Sequence, residues 1–364
     1  LLGEHDETES ARDVHAAVVR EMFFDPEPVP SLFSVAKPDV ASRFVAEIDN
    51  VRAAVAWMFE TGDLSAALDI GEAVSGLLFE NGYVRESHGL RKRLLAETDE
   101  ASVRRAKVLR GVVYPTATLE GLDRAMPLVD ELAATADALD DDTWRAISIE
   151  RRGVLAALRG DFAAAFEHWE DAMDRLVEID RDLALWPLGS MVQMASFVGN
   201  FPLARDLAER VVAENRVAGY GLAWFRMGIA FAAAADGDPE TAEFALALAE
   251  NELAPGEGPL EGSREIRALI SLARMDLDEA EQRAIALLDV ARQTRAPMSL
   301  YMAILLVGLV RYQREDFVIA RRYFAEGLAD ARRLELGPYK RWFLAPHAAT
   351  FATTDAAECV ALLA

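Results

Sequence analysis

Histidine, cysteine, serine and paired carboxylates are the residues most able to do chemistry, and here they form no familiar set. The five histidines are His5, His15, His88, His168 and His347. None sits in HExxH, and no His/Cys/Asp spacing recurs, so a zinc-ligand pattern is absent. His5 stands among Glu4, Asp6 and Glu7, which reads as an acidic chain end. His168, in EHWED at 167–171, falls on the flank of a helix whose apolar face holds Trp169. No GxSxG elbow and no GxxxxGK[ST] loop occurs. The glycine-rich stretch GEGPLEGS at 256–263 has no lysine to meet a phosphate. With 61 acidic residues, carboxylate pairs arise by chance. The sequence therefore predicts no catalytic residue, no metal and no cofactor: a binding and scaffolding module rather than an enzyme, the alternative being a stand-alone effector-binding protein or a helical-repeat enzyme with an unrecognised concave active site.

A binding surface is the chemistry left to expect. Trp144 with Arg145, Trp186, Tyr220, Trp224 with Arg226, and Tyr301 all fall in the first helix of successive hairpins. First helices line the concave side of helical solenoids. An aromatic there stacks on a planar or apolar ligand, and an arginine pairs with a carboxylate or phosphate. The competing reading is that these aromatics fill space between staggered helices. Met191, Met194 and Met227 read as core filling.

These residues are positioned by a repeat. One turn phrase returns as TGDLSAAL at 61, RGDFAAAF at 159, VGNFPLAR at 198, DGDPETAE at 236, RMDLDEAE at 274 and REDFVIAR at 314. From Gly160 onward its intervals are 39, 38, 38 and 40 residues. Gly62, Gly160, Gly199 and Gly237 supply the positive φ that ends a helix. The Asp or Asn that follows caps the next helix. Met275 and Glu315 hold the glycine position without its freedom, so those turns need another backbone form or bear strain. On either side, apolar residues recur in steps of three and four: Phe44, Ile48, Val51, Val55 and Met58 before Gly62, and Phe162, Phe166, Trp169, Met173 and Leu176 after Gly160. Such faces need partners, and stacked repeats provide them. This face assigns Trp169 to the core and leaves Trp144 for the inner surface.

The predicted fold is an all-α, tetratricopeptide-like helical-repeat solenoid, a right-handed superhelix of antiparallel helix pairs with a period of about 39 residues. Its expected parts are an N-terminal helix at 1–24 and a proline-rich loop at 25–40. Irregular repeats follow at 41–142, regular hairpins at 143–340 and a capping segment at 341–364. The interval from Gly62 to Gly160 does not divide into units of 39, which is why 81–142 reads as degenerate.

Composition narrows the setting. The formal net charge is −23, opposite to what phosphate binding needs, so no direct nucleic-acid binding is expected. The longest strongly apolar run, residues 301–310, is half a membrane span. The single cysteine, Cys359, fits a reducing compartment, and a cytoplasmic setting is expected. The start LLGEHDETES lacks both an initiator methionine and a signal-peptide pattern. The chain reads as an internal piece of a longer protein.

The stretch AEIDNVRAAVAWMFETGDLSAAL at 46–68 resembles the segment that follows the nucleotide-binding and winged-helix modules of bacterial signal-transducing regulatory ATPases of the AfsR and LuxR type. The likeness rests on Glu47, Asp49, Asn50, Arg52, Ala53, Ala54, Trp57 and the Gly62–Asp63 turn, with His15 in the helix before it. It implies an arm that follows an ATPase module in the same polypeptide. Such an arm would sense a protein partner or a small-molecule effector, on its concave face, for a transcriptional or signalling regulator.

Overall fold

The computed structural model describes residues 5–23, 38–98, 100–213, 219–252, 262–294, 297–352 and 355–363. Among them are eighteen α-helices and no strand. In order they are α1 (His5–Phe23), α2 (Pro38–Glu60), α3 (Leu64–Glu80), α4 (Val84–Ala96), α5 (Val103–Glu120) and α6 (Leu122–Leu139). Then come α7 (Asp142–Arg159), α8 (Phe162–Ile179), α9 (Leu185–Phe197), α10 (Phe201–Ala213), α11 (Gly219–Ala235) and α12 (Pro239–Asn251). The last six are α13 (Ser263–Ala273), α14 (Leu277–Thr294), α15 (Pro297–Gln313), α16 (Phe317–Arg333), α17 (Gly337–Ala349) and α18 (Ala356–Leu363). The proline-rich stretch lies outside the described residues up to position 37, and Pro38 already begins α2.

Consecutive helices pack antiparallel as pairs, and every odd-numbered helix touches the next odd-numbered one. The odd helices form one layer and the even helices the other, the arrangement expected of a tetratricopeptide-like solenoid. The turn within each pair is the element the sequence phrase encodes. Gly160 has φ +97°, Gly199 +79° and Gly237 +84°, and each turn ends a helix in the left-handed region. Met275 and Glu315 adopt the same form at +59° and +61°. The caps follow: Asp161 Oδ1 accepts from Ala164 N at 3.2 Å, Asp238 from Thr241 N at 3.1 Å and Asp316 from Ile319 N at 3.3 Å.

The regular series begins earlier than the sequence suggests. Gly62, at φ +75°, lies between α2 and α3, a junction between pairs. The turns inside the first full pairs are at Gly82 and Gly121, which precede Gly160 at the same 39-residue interval. Gly121 has φ +106° and ψ 162°, a region essentially closed to other residues. It both ends α5 and begins α6.

The superhelix closes on itself. Helix α17 packs against α7, far away in sequence. Trp342 Nε1 donates to Phe197 O at 2.7 Å, and its ring meets Phe197 edge-on at 4.9 Å. The Tyr339 hydroxyl lies 3.5 Å from that of Tyr114. One apolar core therefore runs from Val113 on α5 to Phe343 on α17. The inner space is partly filled by the chain's own C-terminal helices.

Candidate functional site

Helices α5, α7 and α9 are consecutive members of the odd-numbered layer, and where they meet, a polar group interrupts the apolar core. On α5, Arg110 sits between Leu109 and the valines at 112 and 113, all three fully buried. Its guanidinium carbon lies 3.7 Å from the centre of the Trp186 ring on α9. Arg151 on α7 approaches the same ring at 5.7 Å. Two guanidinium groups thus surround one indole that is only 5% exposed.

The carboxylates nearby are already engaged. Glu150, essentially buried, has Oε2 2.6 Å from Arg151 Nε, in ion-pair contact but not aligned for a hydrogen bond. Its Oε1 accepts from the Ser190 hydroxyl at 3.0 Å. Glu72 on α3 accepts from both Arg91 Nε and Nη2 at 3.0 Å, a two-pronged pair. Arg91 also donates to the Ser87 hydroxyl at 2.7 Å. Arg110 has no carboxylate at ion-pair distance among the described residues, and its buried Nη1 has no hydrogen-bond partner there. Trp186 Nε1 is buried and unpartnered in the same way. Burial, and then the charge of Arg151, press the Arg110 guanidinium below its ordinary pKa. Natural interiors rarely leave donors like these unmet. The arrangement offers N–H groups and one uncompensated positive charge, which is the chemistry of anion recognition.

The sequence-predicted residues do not share one face. Trp186 lies on α9, in the odd-numbered layer, and its ring is covered by Arg110. Trp144 is fully buried, packed with Ala106, Leu109, Leu132, Ala136 and Ile147. Tyr301 is buried too, stacked on Tyr339 at 4.4 Å, with its hydroxyl donating to Asp330 Oδ2 at 2.7 Å. Burial first, then Asp330, raises its phenol pKa. These two have no outward surface to offer, because closure of the superhelix and the next repeat cover them. Arg145 is held at the α6–α7 turn by Asp137 at 2.8 Å, Asp142 at 2.7 Å and Asp140 at 3.0 Å, hydrogen bonds that raise its pKa in that order. Arg226 Nη1 donates to Leu248 O at 3.1 Å and Glu252 Oε1 at 2.5 Å, both on the α12 side. Trp224 is half-buried and meets Phe225 edge-on at 5.3 Å. Tyr220 falls at the start of α11, and its side chain lies outside the described residues.

Arg110 and Arg151 were missed. The available signal was an arginine inside the apolar run VLRGVV, which a helix places on its buried face.

A concavity of about 490 Å³ lies elsewhere, between α1 and the α2–α3 turn, lined by residues that include Asp13, Arg20, Trp57 and Asp63. Its indole is satisfied: Trp57 Nε1 donates to Asp13 Oδ1 at 2.9 Å, and Arg12 lies 4.9 Å over the ring. Among the described residues, no group of three or more His, Cys, Asp or Glu could hold a metal ion. No helix there is long and apolar enough to cross a membrane.

No family model matches the chain. Proteins of Mycobacterium tuberculosis and Mycobacterium bovis described as HTH-type transcriptional regulators are 26% identical over 48% of the chain and 25% of their own length. The chain spans about a quarter of the length of these curated relatives. Among solved structures, a Rap protein complexed with competence and sporulation factor superposes with a TM-score of 0.57 at 12% identity, covering 81% of this chain and 85% of that one. At such identity the likeness concerns the fold. The chain has an all-helical, tetratricopeptide-like repeat fold related to those of HTH-type regulators and Rap-like proteins.

Proposed function

We propose that the chain is the non-catalytic sensing and scaffolding arm of a larger transcriptional or signalling regulator, and that it binds its effector on the inner layer where α5, α7 and α9 meet. The observation that carries this reading is the pair of donors unmet among the described residues, Arg110 Nη1 and Trp186 Nε1, on the first helices α5 and α9, which flank α7. Curved inner surfaces of stacked repeats are where such folds commonly bind. Two comparisons support it. The similar regulators are four times longer than the matched part, as expected if this chain is one arm. The Rap protein of similar fold is complexed with a factor. On this reading an ATPase module precedes the chain in the same polypeptide, a proposal supported by the resemblance at 46–68, whose residues pack toward α1 and α4. Arg52, for example, donates through Nε and Nη2 to Glu86 at 2.7 Å each. That stretch serves to relay, and the inner layer serves to sense.

The test is a thermal-shift screen of the chain against short peptides and small metabolites, repeated with variants. The expected hit loses its shift in Trp186→Phe and keeps it in Asp49→Ala and Arg52→Ala. A hit lost only in the latter two reverses the assignment.

A further inference from the structure

We infer that Arg110, Arg151 and the Trp186 indole N–H form an oxyanion-binding site on the inner layer, one that takes the carboxylate or phosphate group of the effector. The inference rests on the effector-binding reading and names the ligand chemistry.

Three features on separate helices converge on it. The first is charge. In a chain of formal charge −23, arginines are expected to find acids, and most here do. At this junction three guanidinium groups, from Arg91, Arg110 and Arg151, meet two carboxylates, from Glu72 and Glu150. Arg91 takes Glu72 and Arg151 takes Glu150, and Arg110 is left over. An uncompensated charge away from water is costly, and an oxyanion removes that cost.

The second is the donor set. Arg110 Nη1 and Trp186 Nε1 are both buried and, among the described residues, unpartnered. A guanidinium and an indole can only donate. A cation cannot satisfy them, and a neutral acceptor such as an amide carbonyl would leave the charge unmet, whereas a group with two or more acceptor oxygens and a negative charge meets both donors and the charge. The third is rigidity. Arg110 lies on the face of the Trp186 ring at 3.7 Å, so its planar fork is held in one orientation before any ligand arrives. A pre-oriented fork suits a carboxylate or phosphate better than a freely rotating ammonium does. The junction meets solvent on the Arg110 and Arg151 side, since both are partly exposed as residues while Trp186 and Glu150 are buried, and the donor atoms Arg110 Nη1 and Trp186 Nε1 lie just beneath that surface, themselves covered.

Competing roles are weaker. A purely structural arginine in a core makes hydrogen bonds to backbone carbonyls or carboxylates, as Arg105 does with Leu95 O at 3.0 Å and with Glu131. Among the described residues Arg110 makes neither.

The experiment follows the indole N–H of Trp186 in the whole chain labelled with 15N-tryptophan, its signal assigned by its loss in Trp186→Phe. Sodium phosphate and sodium acetate are titrated separately, at ionic strength held constant with sodium chloride. The expected result is a saturable shift of the Trp186 signal, with the Trp144 and Trp169 signals unmoved. Saturation by phosphate alone identifies a phosphoryl group, and saturation by acetate a carboxylate. In Arg110→Gln the half-saturating concentration rises roughly tenfold or more, as loss of a charged hydrogen bond requires. Arg110→Gln also melts no lower than the parent, because it removes an uncompensated charge. Should that variant fail to fold, Arg151→Gln replaces it, with the same weakening expected. Absence of any saturable shift overturns the site, and so does a shift that persists unchanged in the folded arginine variant. An effector that binds the inner layer of Arg110→Gln undiminished overturns this site and leaves the proposed function standing. Effector binding lost only on changes at Asp49 or Arg52 overturns the proposed function itself.

Discussion

Gly337, the first residue of α17, lies against Gly160, the left-handed residue that caps the end of α7. A Cβ on Gly337 would stand 2.5 Å from Arg159 O and 2.7 Å from Gly160 Cα. The atoms it would meet are backbone, which cannot rotate away. This contact sets how closely the C-terminal helix seats against the middle of the chain, and with it the aromatic seam of Tyr114, Phe197, Tyr339 and Trp342.

Gly337→Ala should therefore loosen closure. The cost expected is about 1–3 kcal/mol, that of overpacking a tight contact. Gly89→Ala is the control. Gly89 is exposed within α4 with nothing within 4 Å of its added Cβ, so alanine should stabilise there by roughly 0.5–1 kcal/mol. Urea titrations of both variants, with hydrogen exchange over 337–349, check this. Equal midpoints, or unchanged protection of α17 in Gly337→Ala, would remove the closure contact from the account.

Trp144→Ala and Trp169→Ala should destabilise alike, each by roughly 3–5 kcal/mol. Helical periodicity separates these two tryptophans, one for the core and one for the inner surface, yet both are buried, at 0% and 1% exposure. Trp169 Nε1 donates to Glu150 O at 3.2 Å, and Trp144 fills the space between α5, α6 and α7. A Trp144→Ala variant with the parent's urea midpoint would return that residue to the surface.

The repeat was legible because its turn has local chemistry. A positive-φ residue and an Asp or Asn cap recur at a fixed interval, and the backbone at Gly160, Gly199 and Gly237 follows them. The phase of the first repeats is hidden in the sequence, because Gly62 carries the same phrase at a junction between pairs. Gly82 and Gly121 carry the true phase with weaker caps: Tyr83 makes no side-chain cap, and Gly121 has no side chain to make one. The site was less legible still. Arg110, Arg151 and Trp186 come from three helices about one repeat apart, and a tryptophan in a first helix looks the same whether it meets a ligand, an arginine or a neighbouring repeat. Superhelix closure, which buries Tyr301 under Tyr339, is a contact between distant repeats that no local pattern encodes.

Met275→Gly and Glu315→Gly should each stabilise the chain by about 0.5–1 kcal/mol. Both residues hold the left-handed form, at φ +59° and +61°. That form costs a side-chain-bearing residue roughly 1–2 kcal/mol, and the greater freedom of glycine in the unfolded chain offsets part of the gain. The converse change, Gly237→Ala, should lose a similar amount. Urea midpoints decide. A fall in stability for both glycine variants would mean that the two side chains contribute packing that their exposure does not suggest.

Mild acid should weaken the chain through His88. This imidazole is buried between α4 and α5, with Nε2 3.0 Å from Thr116 Oγ1 and 3.7 Å from Glu120 Oε1. The charged groups acting on it are Arg85, Arg91 and Lys92 from α4 and Glu120 from α5. Burial is the largest influence and lowers its pKa below the ordinary 6.5. Glu120 opposes this, but it is itself paired with Lys92 at 3.0 Å. The unfolded chain therefore takes up a proton at a higher pH than the folded chain does. Stability is fully present above the unfolded pKa and falls as pH drops below about 6.5. His347, whose pKa is lowered by burial and then by Arg321, acts in the same direction. His88→Gln can keep a hydrogen bond to Thr116 but cannot titrate. The expected result is a smaller loss of thermal midpoint than the parent shows between about pH 7.5 and about pH 5.5. The carboxylates are common to both proteins, so the difference between the two pH profiles isolates the imidazole. Superimposable profiles would mean that His88 is protonated in the folded chain as readily as in the unfolded one, and that Glu120, not burial, dominates its surroundings.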